Sequence, residues 1–124
     1  MNIIKVTKTY AQLAAAALTN DIEVYSLPAG CRIESVTIDP TVAFTGGAIA
    51  AYTLSVGITG NLTKFAAAFS VFTTGSQQDS NNFSVESWTA ATSIRLAAIS
   101  VGANLNAATA GSVDIYIGVA QVKQ

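Results

Sequence analysis

A chain of 124 residues fits one domain, and folding a chain of this length buries about two-thirds of its surface, enough for a core without staples. Only 10% of the residues are charged, against roughly 25% in an ordinary soluble domain, and the net charge is −1. This balance offers nucleic acid no basic patch, the lone Cys31 excludes an internal disulfide framework, and no apolar run reaches the roughly 18 residues of a membrane span.

Ala, Gly, Ser and Thr crowd the sequence where charge is missing. Short neutral side chains cost little entropy to immobilise and little desolvation to bury. Such a surface suits permanent contact with other protein, as in a component of an assembly.

Residues 2–8 read as a first strand, with Ile4 and Val6 on one face and Lys5 and Thr7 on the other. Residues 10–18, YAQLAAAAL, carry four consecutive alanines, the best intrinsic helix formers. One or two helical turns are expected there, with Leu13 docked inward and the helix covering an open end of the sheets. Lys5 and Lys8 ahead of this segment imitate a signal peptide only loosely. The apolar part is short and Gln12 interrupts it, so the segment reads as mature protein.

Residues 21–39 organise the rest. Two strand-like runs flank Leu27-Pro28-Ala29-Gly30, in which Pro28 presets φ and Gly30 can take the positive φ of a tight reversal. The pattern predicts a central hairpin. After the turn Ile33, Val36 and Ile38 are apolar, so the alternation slips at Glu34-Ser35, the mark of a β-bulge or a bend between sheets. Asp39-Pro40 is expected to end this strand, and residues 44–47, FTGG, to form a flexible connector.

Residues 51–59 set Tyr52, Leu54, Val56 and Ile58 against a flat Thr/Ser/Gly face, and Gly60-Asn61 turns the chain. Residues 62–72, LTKFAAAFSVF, are ambiguous: Leu62, Phe65, Phe69 and Phe72 fit helical spacing, yet Phe69 and Val71 also alternate as in a strand. They are expected to be irregular or short structure whose phenylalanines plug the core. Residues 73–82 form the longest polar stretch and read as an exposed loop, and residues 83–88 alternate again. In residues 93–101, Ile94 and Leu96 share one face and Ile99 and Val101 the opposite one, which predicts a second phase slip. Residues 102–111 read as a loop. Residues 112–122 place Val113, Ile115, Ile117 and Val119 inward, with Asp114, Tyr116, Gly118 and Ala120 outward. About eight strands and one short N-terminal helix in residues 1–124 are the pattern of an all-β, two-sheet sandwich of jelly-roll type.

The chain has no histidine, which removes His-dependent triads, His metal sites and the usual proton shuttle near neutral pH. Cys31 has no histidine partner and reads as a small strand residue. Asp21 and Glu23 share a strand face, with Glu34 expected across the hairpin. A glycosidase needs two carboxylates facing one another across a cleft, and neighbours on an exposed strand supply none. Gly46-Gly47 lacks the residues of a phosphate loop. No catalytic, metal or cofactor site is therefore assigned. Trp88 and Tyr116 fall on outward phases and can stack on sugars or anchor a protein interface.

Residues 20–30 (NDIEVYSLPAG), 44–48 (FTGGA), 52–57 (YTLSVG), 60–64 (GNLTK) and 110–115 (AGSVDI) together resemble the small β-sandwich virion proteins of tailed bacteriophages. The resemblance implies a non-enzymatic structural protein, often a jelly-roll decoration or cement protein that sits as trimers on the capsid. It places the chain on the virion, at the capsid surface, with the major capsid protein and further copies of itself as partners and with neither nucleic acid nor membrane. In that role Ile4, Lys5, Tyr10 and Leu13 are expected to face the shell, and Trp88 and Tyr116 to face neighbouring copies. The alternative is a tail, baseplate or fibre sandwich that binds a host surface glycan or another tail protein through its loops and aromatics.

Overall fold

The computed structural model describes residues 2–72, 78–79, 86–87 and 89–121. Their elements are β1 (Asn2–Thr9), α1 (Tyr10–Leu13), β2 (Thr19–Leu27), β3 (Cys31–Thr45), β4 (Ala51–Ile58), β5 (Asn61–Ser70), β6 (Gln78–Asp79), β7 (Glu86–Ser87), β8 (Thr92–Val101), a 3-10 turn (Leu105–Ala107) and β9 (Ala110–Gln121). One sheet has the order β1-β9-β3-β6, with β7 also on β3. The other has the order β2-β8-β4-β5. All pairings are antiparallel.

These pairings nest. β4 pairs β5, β3 pairs β6 and β7, β2 pairs β8, and β1 pairs β9. The chain is thus one long hairpin with its tip at Thr59-Gly60, rolled up so that β9 also bonds β3 and β8 also bonds β4. A hairpin rolled in this way is a jelly roll. The two short strands share one position beside β3, which leaves eight strand positions.

The roll explains why the predicted central hairpin is not one. Cys31 N–H donates to the Pro28 carbonyl at 3.3 Å and Gly30 has φ 83°, so the chain does reverse at Pro28–Gly30. Yet β2 and β3 lie in different sheets. The turn is a corner that carries the chain from one layer to the other.

The bulge expected at Glu34-Ser35 is present, as a register shift between Ile33 and Ser35 against β9. β3 then runs past Pro40 to Thr45 instead of stopping. Pro40 has no N–H to give the ladder, and it sits at a further register shift, where a missing donor is tolerated. The FTGG segment is correspondingly less free than expected: Phe44 is buried in the core, and the Thr45 carbonyl accepts from Thr109 N–H at 2.9 Å.

Residues 62–72 are also a correction. Most of them belong to β5, whose register against β4 shifts twice, so Phe65 and Ala66 are both buried. The shifts explain the mixed periodicity. Phe65 does plug the core, while Phe69 and Phe72 are half-buried at its margin. The start of β5 also folds over the outer face of β4. A Cβ built on Gly57 would collide with the backbone of Asn61 and Leu62. Gly57→Ala is therefore expected to destabilise the fold by about 1–3 kcal/mol, read as a lower urea midpoint. An unchanged midpoint would show that the two strands do not approach so closely.

The second predicted phase slip does not occur. β8 pairs β4 with no register shift, and its inward phase is continued by Ala98 and Ser100, both fully buried. Ile99 and Val101 turn outward and remain 42% and 56% exposed. The irregularity lies in the neighbouring strand, between Glu23 and Tyr25 of β2. The polar stretch 73–82 contains the two-residue strand β6, paired with Thr37 and Ile38, and β7 within 83–88 pairs with Cys31 and Arg32.

The helix is one turn long. Gln12 reaches back to accept from Thr9 N–H at 2.9 Å, and the helix ends at Ala14, which is extended. The residues that follow give carbonyls to tertiary partners: Ala15 accepts from Asn106 N–H, Ala17 from Leu105 N–H and Leu18 from Ser100 N–H. A carbonyl committed to another segment is lost to the i+4 N–H, so hydrogen bonds to the 3-10 turn and to β8 override the propensity of the alanine run. The turn does cover an end of the sandwich, packing on β1, β2, β9 and the 3-10 turn. The expected inward phase of β9 is observed, with Val113, Ile115 and Ile117 fully buried and Val119 nearly so.

Candidate interaction surfaces

The outer face of the β1-β9-β3 sheet brings together residues far apart in sequence. Lys5 on β1 lies beside Tyr116 on β9, which lies beside Thr37 on β3. In the next row Thr7 is beside Asp114, which is beside Asp39. Thr7 Oγ1 donates to Asp114 Oδ1 at 2.7 Å, and the Lys5 ammonium stands 3.7 Å from Oδ2. Lys5 is 56% exposed at its side chain, so this pair contributes little to stability and leaves the lysine available. Ile3, one row further, is an exposed apolar side chain on the same face.

The other candidates are placed differently. Ile4 points inward and is half-buried, and Tyr10 packs against the core from the first position of α1. Leu13 is 0% exposed. A residue wholly inside the core cannot touch a shell subunit, so its part is to anchor α1. Trp88 lies outside the described residues.

The outer face of the β2-β8-β4 sheet is neutral over one half. Thr19, Ile99 and Thr53 form one row, and Val101 and Ala51 the next. Beside them is a shallow depression of about 400 Å³, lined by Thr19, Asn20, Asp21, Ser55, Leu62 and Ala97 among others. The charges of this face gather at the other end, where Arg95 Nε donates to Asp21 Oδ2 at 2.5 Å and Glu23 is exposed. The expectation that Glu34 would face Asp21 and Glu23 fails, since it lies in the opposite sheet, where Arg32 Nε bonds it at 2.7 Å. Among the described residues no three His, Cys, Asp or Glu side chains converge. Cys31 is half-buried at the start of β3. Burial raises the pKa of the Tyr25 phenol, and the nearby Cys31 adds to the rise.

Ile99 and Val101 are the surface residues that sequence reasoning missed. Their apolar character read as core, and only the smallness of Ala98 and Ser100 signalled that the inward phase ran between them.

No protein-family profile matches the chain, and no curated protein does. Solved structures do match. A chain of the cyanophage Pam1 capsid asymmetric unit superposes with a TM-score of 0.63 at 18% identity, over 95% of this chain and 81% of that one. A chain of the capsid of Ralstonia phage GP4 gives 0.62 at 22%, over 98% and 84%. A chain of the acid-stable capsid of Helicobacter pylori bacteriophage KHP30 gives 0.54 at 16%, over 99% and 93%. The fold is one found in phage capsids. In each case the similarity takes in nearly the whole jelly roll, so it is the architecture that is shared and not one hairpin of it.

Proposed function

We propose that this chain is a non-enzymatic structural protein of a phage virion, a decoration or cement protein that binds the outer surface of the capsid as a trimer and stabilises it. The observation that carries this reading is the likeness, over 95% or more of the chain, to chains of three phage capsids. The surface supports it from a second direction. Outer faces built from Thr, Ser and Ala, with six of their charges already joined in three ion pairs inside the molecule, give up little hydration when another protein covers them. Each contact is modest. Repeated by symmetry around a shell, every further contact becomes nearly intramolecular, and the sum clamps neighbouring shell subunits together. Lys5, Tyr116 and Ile3 on one face, and Ile99 and Val101 on the other, are the side chains offered.

The test is reconstitution. Capsids stripped of this protein are expected to lose heat resistance, seen as a lower melting temperature in scanning calorimetry, and to regain it when the purified protein is added back. Capsids indifferent to its removal, with the protein recovered on tails instead, would favour the tail or fibre reading.

A further inference from the structure

One side of the sandwich is unfinished. Among the described residues β1 pairs only with β9 and β2 only with β8, so each leaves a row of backbone N–H and C=O groups without a neighbouring strand. β1 is eight residues long, has no proline and keeps unbroken register with β9. Long flat edges of this kind invite another strand. The gap behind them is also open. Ile4 and Val6 point inward beside Ile117 and Ile115, which are fully buried, yet both remain half-exposed, as does Ile22 on β2. α1 packs on both edge strands but closes only the end of the gap, through Leu13.

The two edges differ in sign. β1 carries Lys5 and Lys8 and no acid, whereas β2 carries Asp21 and Glu23 and no base. Asp114 and Arg95, which answer Lys5 and Asp21 within the molecule, stand one strand further in, on β9 and β8.

We propose that the β1 edge of one copy docks against the β2 edge of the next, around an axis parallel to the strands. The inference rests on the trimer reading above and names its interface. Strand direction fits. β1 runs parallel to β3, because both are antiparallel to β9, and the tight corner at Pro28–Gly30 sets β2 opposite to β3. Rotation about an axis along the strands preserves direction, so β1 of one copy meets β2 of the next antiparallel. Charge fits as well. Lys5 and Glu23 both project from outer faces, so the joined sheet brings an ammonium and a carboxylate onto one surface. A two-fold axis perpendicular to the sheet would instead set β1 against β1, lysines against lysines, and like charges directly opposite are unfavourable. Ile4 and Val6 of one copy and Ile22 of the next then close the gap from both sides.

The mass of the purified chain in solution, at tens of micromolar, decides the matter for the wild type, Lys5→Glu, Glu23→Lys and the double variant Lys5→Glu/Glu23→Lys. The wild type is expected to be a trimer. Each single reversal should raise the concentration of half-association about tenfold or more, and the double variant should restore it. Lys5→Glu also loses the bridge to Asp114, which Glu23→Lys does not replace, so recovery in the double variant reports contact between copies. A wild-type trimer that both single reversals leave intact overturns the edge assignment and keeps the trimer, as does a double variant that stays dissociated. A monomeric wild type overturns the edge assignment and the trimer together, while capsid reconstitution still decides the decoration role.

Discussion

Leu13→Ala is expected to cost about 2–5 kcal/mol of stability, the range for removing a wholly buried leucine from a packed core. Leu13 has no exposed surface, and it is the buried residue of α1, the turn that packs on β1, β2, β9 and the 3-10 turn. Its carbonyl also accepts from Asn20 Nδ2 at 3.2 Å, which ties the turn to the start of β2. The loss should lower the melting temperature by roughly 10 °C or more in a domain of this size. Leu18 makes the contrast. It belongs to the same alanine-rich segment but is 50% exposed, so Leu18→Ala should stay within about 0.5 kcal/mol. Equal effects at the two positions would mean that α1 does not plug the sandwich.

Local chemistry was readable wherever a short stretch decides the outcome by itself. The alternation of Val113, Ile115, Ile117 and Val119 gives the inward face of β9, and the slip at Glu34-Ser35 gives the bulge of β3. The turn at Pro28–Gly30 was equally legible as a reversal. Whether the strands on either side of it stay in one sheet depends on how the whole hairpin rolls, and no turn residue encodes that. The alanine run shows the same limit from the helical side. Its propensity is real, but Ala15, Ala17 and Leu18 have carbonyls claimed by residues about 80 to 90 positions away.

The candidate surfaces were legible only as faces of single strands. Lys5 and Tyr116 could each be placed on an outward phase, but their adjacency follows from the β1–β9 register, which joins opposite ends of the chain. Ile99 and Val101 were misassigned for a different reason. Size and hydrophobicity normally track burial, but on β8 the inward phase falls on the small Ala98 and Ser100, which leaves the larger Ile99 and Val101 on the outer face.

Tyr52→Phe should leave the fold as stable as before, or slightly more stable, at neutral pH, and should make a large difference in alkali. The Tyr52 ring is fully buried on β4, 4.9 Å from the Phe44 ring, and its hydroxyl has no hydrogen-bond partner among the described residues. A buried hydroxyl without a partner has lost its hydration for no return, so its removal costs nothing in hydrogen bonding and spares that desolvation. The same burial disfavours the phenolate and pushes the Tyr52 pKa up from 10.0 to about 12. The folded state therefore holds this proton where the unfolded chain has begun to release it. Stability contributed by the neutral phenol is complete below pH 10 and is lost as the pH climbs from about 10 to about 12. A shift of about two pKa units corresponds to roughly 3 kcal/mol across that window. Urea midpoints measured at pH 8 and at pH 11.5 should fall steeply for the wild type. In Tyr52→Phe they should fall much less. Parallel declines in the two proteins would show that Tyr52 ionises as freely in the fold as outside it, which a ring sealed between Phe44 and the inner faces of the sheets does not permit.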